Sequence, residues 1–129
     1  MLVDTSVWIK FFRAPHSLEA QVLDVLLSAG PVATCAPIRA EVVSGAQTRR
    51  EFDRLRELFD GLIDLEPPDD LWPRIEERRF ELAKRGEATS LIDLTIVLTA
   101  HAHHAALWTL DRDFSRMTTV IPVTTFHPS

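Results

Sequence analysis

The chain has 129 residues, is 46% hydrophobic and 26% charged, and carries a formal net charge of −5. That length suits one domain, residues 1–129, with a core of its own, and the acidic balance excludes a molecule that holds nucleic acid by bulk charge alone. One cysteine, Cys35, allows no intrachain disulfide; with no basic leader ahead of Asp4 and no apolar run long enough to span a bilayer, the expected setting is the cytoplasm, away from membranes.

Residues 2–4 read as a short buried strand that ends in the carboxylate of Asp4. A helix follows, opened by a hydroxyl of the Thr5-Ser6 pair, with Val7, Trp8, Phe11 and Phe12 on its apolar face. Pro15 and His16 break it. Ser17 caps the next helix, whose Leu18, Val22, Val25 and Leu26 repeat at helical spacing up to Gly30-Pro31. Residues 32–35 predict a second strand, and Pro37 suits the first turn of the helix that carries Glu41.

Residues 49–60 predict an amphipathic helix with Phe52, Leu55 and Phe59 inward and Arg49, Arg50, Arg54 and Arg56 outward. A third strand is expected at 62–65, then a rigid Pro67-Pro68 link. Asp69 or Asp70 is expected to cap a long helix carrying Leu71, Ile75 and Leu82. Ser90 opens a helix apolar on most sides through Ala100, which should therefore be central. Residues 106–109 read as strand four, 111–116 as a turn or short helix, and 120–123 as strand five. Strands separated by helical stretches imply right-handed crossovers and a central, mostly parallel sheet of about five strands, covered on both faces.

Four carboxylates share one topological position. Asp4 ends strand one, Glu41 lies early in the helix after strand two, Asp93 is in the first turn of the central helix, and Asp111 follows strand four. In a parallel sheet the carboxyl ends of strands and the amino ends of the following helices meet at one edge. Like charges gathered there need a cation between them, and an all-oxygen set favours magnesium or manganese over zinc.

Each acid also has a plainer explanation. Asp93 stands three residues after Ser90, as in a capping box, and complements the helix dipole. Asp111 and Asp113 can serve as turn residues, and Glu41 as a solvated glutamate. A core-facing Asp4 has the least structural reason to exist. His101, His103 and His104 fall on different sides of a helix end, which argues against a ligand cluster. Trp8, Trp72 and Trp108 read as core or interface residues, and the arginines of 49–56 as a solvated face able to meet phosphates. No glycine-rich phosphate loop and no Gly-x-Ser-x-Gly occurs.

Val3-Asp4-Thr5-Ser6, Ala36-Pro37-Ile38-Arg39-Ala40-Glu41, Ile92-Asp93-Leu94-Thr95-Ile96 and Trp108-Thr109-Leu110-Asp111-Arg112-Asp113-Phe114, in this order and spacing, resemble the PIN-domain ribonucleases, specifically the VapC-type toxins of bacterial toxin–antitoxin pairs. The resemblance spans nearly the whole chain. It implies a three-layer α/β/α PIN-like fold, a homodimer, magnesium- or manganese-dependent RNA cleavage, and inhibition by a small cognate antitoxin. It carries the acidic quartet over to Asp4, Glu41, Asp93 and Asp111, with Asp4, Asp93 and Asp111 as metal ligands. Ser6 and Thr109 then match the supporting hydroxyls, and Asp113 adds a carboxylate of open role. The central helix departs from the family's small alanines with Asp-Leu-Thr-Ile-Val.

Two other classes of protein share part of this pattern. A magnesium-binding phosphoacceptor domain needs a lysine after the last strand of the acidic edge, and the only lysines are Lys10 and Lys84. A non-catalytic PIN-fold regulator that binds RNA or protein would keep the fold and dispense with the acids, all four of which are present here.

Overall fold

The computed structural model describes residues 1–128. In chain order the elements are β1 (Leu2–Val3), α1 (Thr5–Arg13), α2 (Leu18–Ala29), β2 (Ala33–Thr34), α3 (Ala36–Ser44), α4 (Arg49–Asp60), β3 (Ile63–Asp64), α5 (Leu71–Lys84), α6 (Leu91–Ala102), β4 (Leu107–Trp108) and α7 (Phe114–Met117). The four strands pair in parallel in the order β3-β2-β1-β4. Successive residues of β1 point to opposite faces, yet Leu2 and Val3 are both fully buried, so both faces of the sheet are covered. None of the described helices is long and apolar enough to cross a membrane.

The strand order sets the site. The chain moves from β1 to β2 to β3 in one direction, then returns with β4 to the other side of β1. Strand order therefore reverses between β1 and β4, which is where parallel α/β sheets open a crevice at their carboxyl ends. Leu2 pairs with Ala33 on one side and Leu107 on the other, and Val3 pairs with Trp108. This register leaves Asp4 and Thr109 side by side, one residue past their strands.

The helices follow their local signals. Ser17, Thr48 and Ser90 each accept the backbone N–H three residues on, at 2.9 to 3.1 Å, and open α2, α4 and α6. Helix α6 buries Leu94, Ile96, Val97, Leu98, Thr99 and Ala100, as a central helix must. Trp8 of α1 packs on Phe59 of α4 with centroids 4.9 Å apart, and Trp108 packs on Phe126 at 5.0 Å.

Three details depart from the sequence expectations. The cap of α1 is the Asp4 carboxylate, which accepts from Ser6 N, and Thr5 is the first helical residue rather than the cap. Asp70 precedes α5 with no capping bond; its carboxylate is drawn instead to Arg74 Nε at 2.7 Å. Strand five is not formed at 120–123, where Pro122 has no N–H to donate. The chain pairs with β4 slightly later, through one parallel bridge of Leu107 with Thr125.

Candidate active site

Asp4 is 5% exposed, held by position rather than by solvent. Its Oδ2 accepts the Ser6 hydroxyl at 2.8 Å, the Thr109 hydroxyl at 2.8 Å and the Ser6 N–H at 3.4 Å. Both hydroxyls are themselves oriented from the β4 side. Leu110 N–H donates to Ser6 Oγ at 3.0 Å, and Asp111 N–H donates to Thr109 Oγ1 at 3.0 Å. A closed lattice thus binds the end of β1, the start of α1 and the end of β4. It saturates one carboxylate oxygen and leaves Oδ1 without a hydrogen-bond partner among the described residues. The polar contacts also give Asp4 the structural duty that the sequence left unexplained.

Glu41 lies on the exposed face of α3, where its Oε1 accepts the Thr5 hydroxyl at 3.2 Å. Thr5 can make this contact because, as the first residue of α1, it faces the neighbouring α3 while Ser6 faces β4. Ser6 stands out in the sequence as a supporting hydroxyl and Thr5 does not, although the second hydroxyl beside Asp4 is the available signal.

Asp93 is partly buried in the first turn of α6, with its N–H capped by Ser90 Oγ at 2.9 Å. Desolvation by burial pushes its carboxyl above the usual aspartate range; the Ser90 hydroxyl opposes this, and the charges of Asp111, Asp4 and Glu41 push it further up. The four acids therefore share one electrostatic field. Asp111 is exposed, and its Oδ1 accepts the N–H of Asp113 at 2.9 Å, which shapes the turn into α7. Asp113 is not drawn into the cluster: its carboxylate meets Arg116 at 3.3 Å on the surface.

No three His, Cys, Asp or Glu side chains among the described residues stand close enough to share one metal ion. The donor chemistry nevertheless fits a hard divalent cation. It consists of carboxylate oxygens in mutual repulsion, with no lysine or arginine paired to Asp4 or Asp93 among the described residues.

The neighbouring candidates divide clearly. Cys35 is buried beside the edge, and burial pushes its thiol up to about 11, with Asp64, Asp4 and Glu41 adding to the rise against the Ile38 N–H. It therefore stays a neutral thiol at physiological pH, unsuited to nucleophilic work. His101 Nδ1 lies 2.9 Å from the Pro122 carbonyl oxygen and His103 Nε2 lies 2.7 Å from that of Glu66, so these rings tie down different loops. On α4, the Arg49 and Arg56 guanidinium groups lie over the Phe52 ring at 4.9 and 5.7 Å.

A parallel α/β sheet thus carries a braced aspartate at its switch point, with three further acids in that field. The chain belongs to the PIN domain family, whose model matches residues 1–120. It is 35% identical over 118 residues to Ribonuclease VapC11 of Mycobacterium tuberculosis, a match covering 88% of each chain. Among solved structures it resembles VapBC-1 from nontypeable Haemophilus influenzae, with a TM-score of 0.77 at 20% identity, covering 97% of this chain and 95% of that one. It also resembles VapBC-5 from Mycobacterium tuberculosis, a member of the VapBC family of toxin–antitoxin systems, with a TM-score of 0.64 at 22% identity, covering 98% and 96%. At these identities the two structural matches establish the fold.

Proposed function

We propose that this chain is an endoribonuclease acting as the toxin of a toxin–antitoxin pair, working in the cytoplasm as a homodimer with magnesium or manganese. The likeness to a relative named as a ribonuclease supports the activity. The observation that carries the chemistry is the buried Asp4, with one oxygen saturated by Ser6 and Thr109 and the other without a partner.

In this reading Asp4 and Asp93 hold the cation, with Asp111 beside them. A bound divalent ion would neutralise phosphate charge and make water more nucleophilic. The chain's own residues supply the orientation. Ser6 and Thr109 fix the Asp4 carboxylate through one oxygen and leave the other unbonded among the described residues. Thr5 holds Glu41 at 3.2 Å, and Glu41 or Asp111 would take a proton from the attacking water. Asp93, its carboxyl raised by burial and then by the neighbouring acids, keeps its negative charge most easily when a cation is present to balance it.

The antitoxin is expected to cover the exposed apolar surface of α1 and α4 and to place an arginine or lysine against the acidic edge. The test is cleavage of RNA by purified, antitoxin-free protein. Cutting should require magnesium or manganese, stop with chelator, and be lost in folded Asp4→Asn. Full activity in that variant, or in chelator, would overturn the assignment.

A further inference from the structure

The acidic edge opens into two clefts, one on each side. A cleft of about 460 Å³ begins at Thr109 and Asp111 and runs past Arg112 towards His127. The other, of about 350 Å³, has Glu41 and Thr5 at its mouth and lies between Ile9, Phe12 and Arg13 of α1 and Gln47 at the turn before α4. We propose that this second cleft is a nucleobase subsite, which seats the base of a nucleotide next to the scissile bond of single-stranded RNA. The proposal rests on the ribonuclease reading above and adds the determinant of where the strand is cut.

The chemistry of the walls selects this occupant. Volumes near 300 Å³ mark the lower end of small-ligand sites, and about 350 Å³ is enough for one nucleoside. Phe12 and Ile9 are 45% and 43% exposed, an aromatic and an aliphatic surface left open to water. A base can lie against both, since unpaired RNA bases are recognised by stacking on aromatic side chains and by bonds to their edges. The Gln47 carboxamide, which makes no hydrogen bond among the described residues, offers both donors and an acceptor to such an edge. Its backbone is already fixed, because Gln47 N–H donates to Glu51 Oε2 at 3.2 Å, while Glu51 N–H donates to Thr48 Oγ1 at 3.1 Å.

Charge is arranged to match. Arg13 has no carboxylate partner among the described residues, so it is available to a phosphate at the cleft's rim. The two glutamates do not repel the base itself, which is neutral, and both are occupied: Glu51 by Gln47 and Glu41 by Thr5. Because Glu41 lines this cleft and also lies in the field of Asp93, a base seated here sits directly beside the reacting edge.

The experiment uses short single-stranded RNAs, randomised around the cut, with magnesium or manganese and sequencing of the ends produced. Wild type should prefer particular bases at one position adjacent to the cut, and Gln47→Ala should flatten that preference about tenfold. Phe12→Ala, and Phe12→Leu, which keeps apolar packing on Trp8, should each raise KM about tenfold by removing the stacking face. Unchanged preference in Gln47→Ala together with unchanged KM in both Phe12 variants, while wild type cuts, would overturn the subsite alone. Variants that lose the antitoxin yet cut with unchanged KM and preference would assign the cleft to the protein partner and likewise overturn it. If wild type cuts no RNA with either metal, the ribonuclease reading falls and the subsite falls with it.

Discussion

Thr109 and Asp4 stand 105 positions apart in sequence, and the hydroxyl of one donates to the carboxylate of the other at 2.8 Å. The bond joins the ends of the two strands between which the sheet order reverses. The same Thr109 oxygen accepts the Asp111 N–H at 3.0 Å, so one hydroxyl governs both the first acid and the last.

Removing that hydroxyl without changing shape tests its role. Thr109→Val should lower unfolding free energy by about 1–3 kcal/mol, because the Asp4 carboxylate loses a donor and the Asp111 N–H loses its acceptor. Urea denaturation measures this, and RNA cleavage should fall alongside it. Thr109→Ser should restore most of both. A valine variant with unaltered stability would show that the lattice around Asp4 carries little energy.

Thr5 is tested through Glu41. If the 3.2 Å contact holds Glu41 for proton transfer, Thr5→Val should lower kcat severalfold with little change in KM. Thr5→Ser, which keeps the hydroxyl, should recover the rate. Equal loss in both variants would assign Thr5 a packing role only.

How much of this was legible beforehand depended on whether a residue answers to its own neighbours in sequence. The strand–carboxylate–helix pattern at 2–13 and the Ser90–Asp93 spacing are local signals, and both placed their acids correctly at the carboxyl edge or at a helix start. The Thr5 contact to α3 and the Gln47 cleft depend on how α1, α3 and α4 lie against one another, which no short window contains. The same applies to the fifth strand. The residues 120–123 are apolar and strand-like, but pairing had to wait until the chain cleared Pro122 and reached Thr125. Asp70 looked like a cap until the competing attraction of Arg74, one turn on, drew its carboxylate away.

Asp93 gives a pH dependence of defined sign. Its folded carboxyl is raised above the usual value, so the folded protein takes up this proton before the unfolded chain does as pH falls. In metal-free protein its contribution to stability is therefore most favourable in acid and declines as pH rises from the ordinary aspartate range through the folded value, then levels off. Asp93→Asn removes the penalty, so metal-free variant should melt above wild type at neutral pH, with the gap closing towards acid. Thermal melts across about pH 3–7, from the ordinary carboxylate range upwards, check this. A gap that widens in acid would reverse the assignment.

Added magnesium or manganese should raise the melting temperature of wild type, because a ligand that binds only the folded state stabilises it. Asp4→Asn and Asp93→Asn should blunt the rise. A shift that survives both substitutions would place the ion elsewhere.

The partner can be tested on its own side. In a complex with the antitoxin, replacing the antitoxin's basic residues with alanine one at a time should identify one whose loss restores RNA cleavage. If none does, obstruction alone blocks the edge.

The indole rings give the edge an optical readout. Trp8 and Trp108 are both fully buried, and their ring N–H groups have no hydrogen-bond partner among the described residues. They bracket Asp4 along the backbone: its carbonyl accepts from Trp8 N at 3.3 Å, and its N–H donates to the Trp108 carbonyl at 2.9 Å. Trp72 on α5 is 60% exposed and belongs to a different surface. The intrinsic emission of the chain therefore has a dry component from two core rings whose backbones bond to Asp4, and a wet one from a different surface. In Trp72→Phe only the dry component remains, and a change in its wavelength on adding cation reports a response carried from the strand ends into the core, with no label and no substrate.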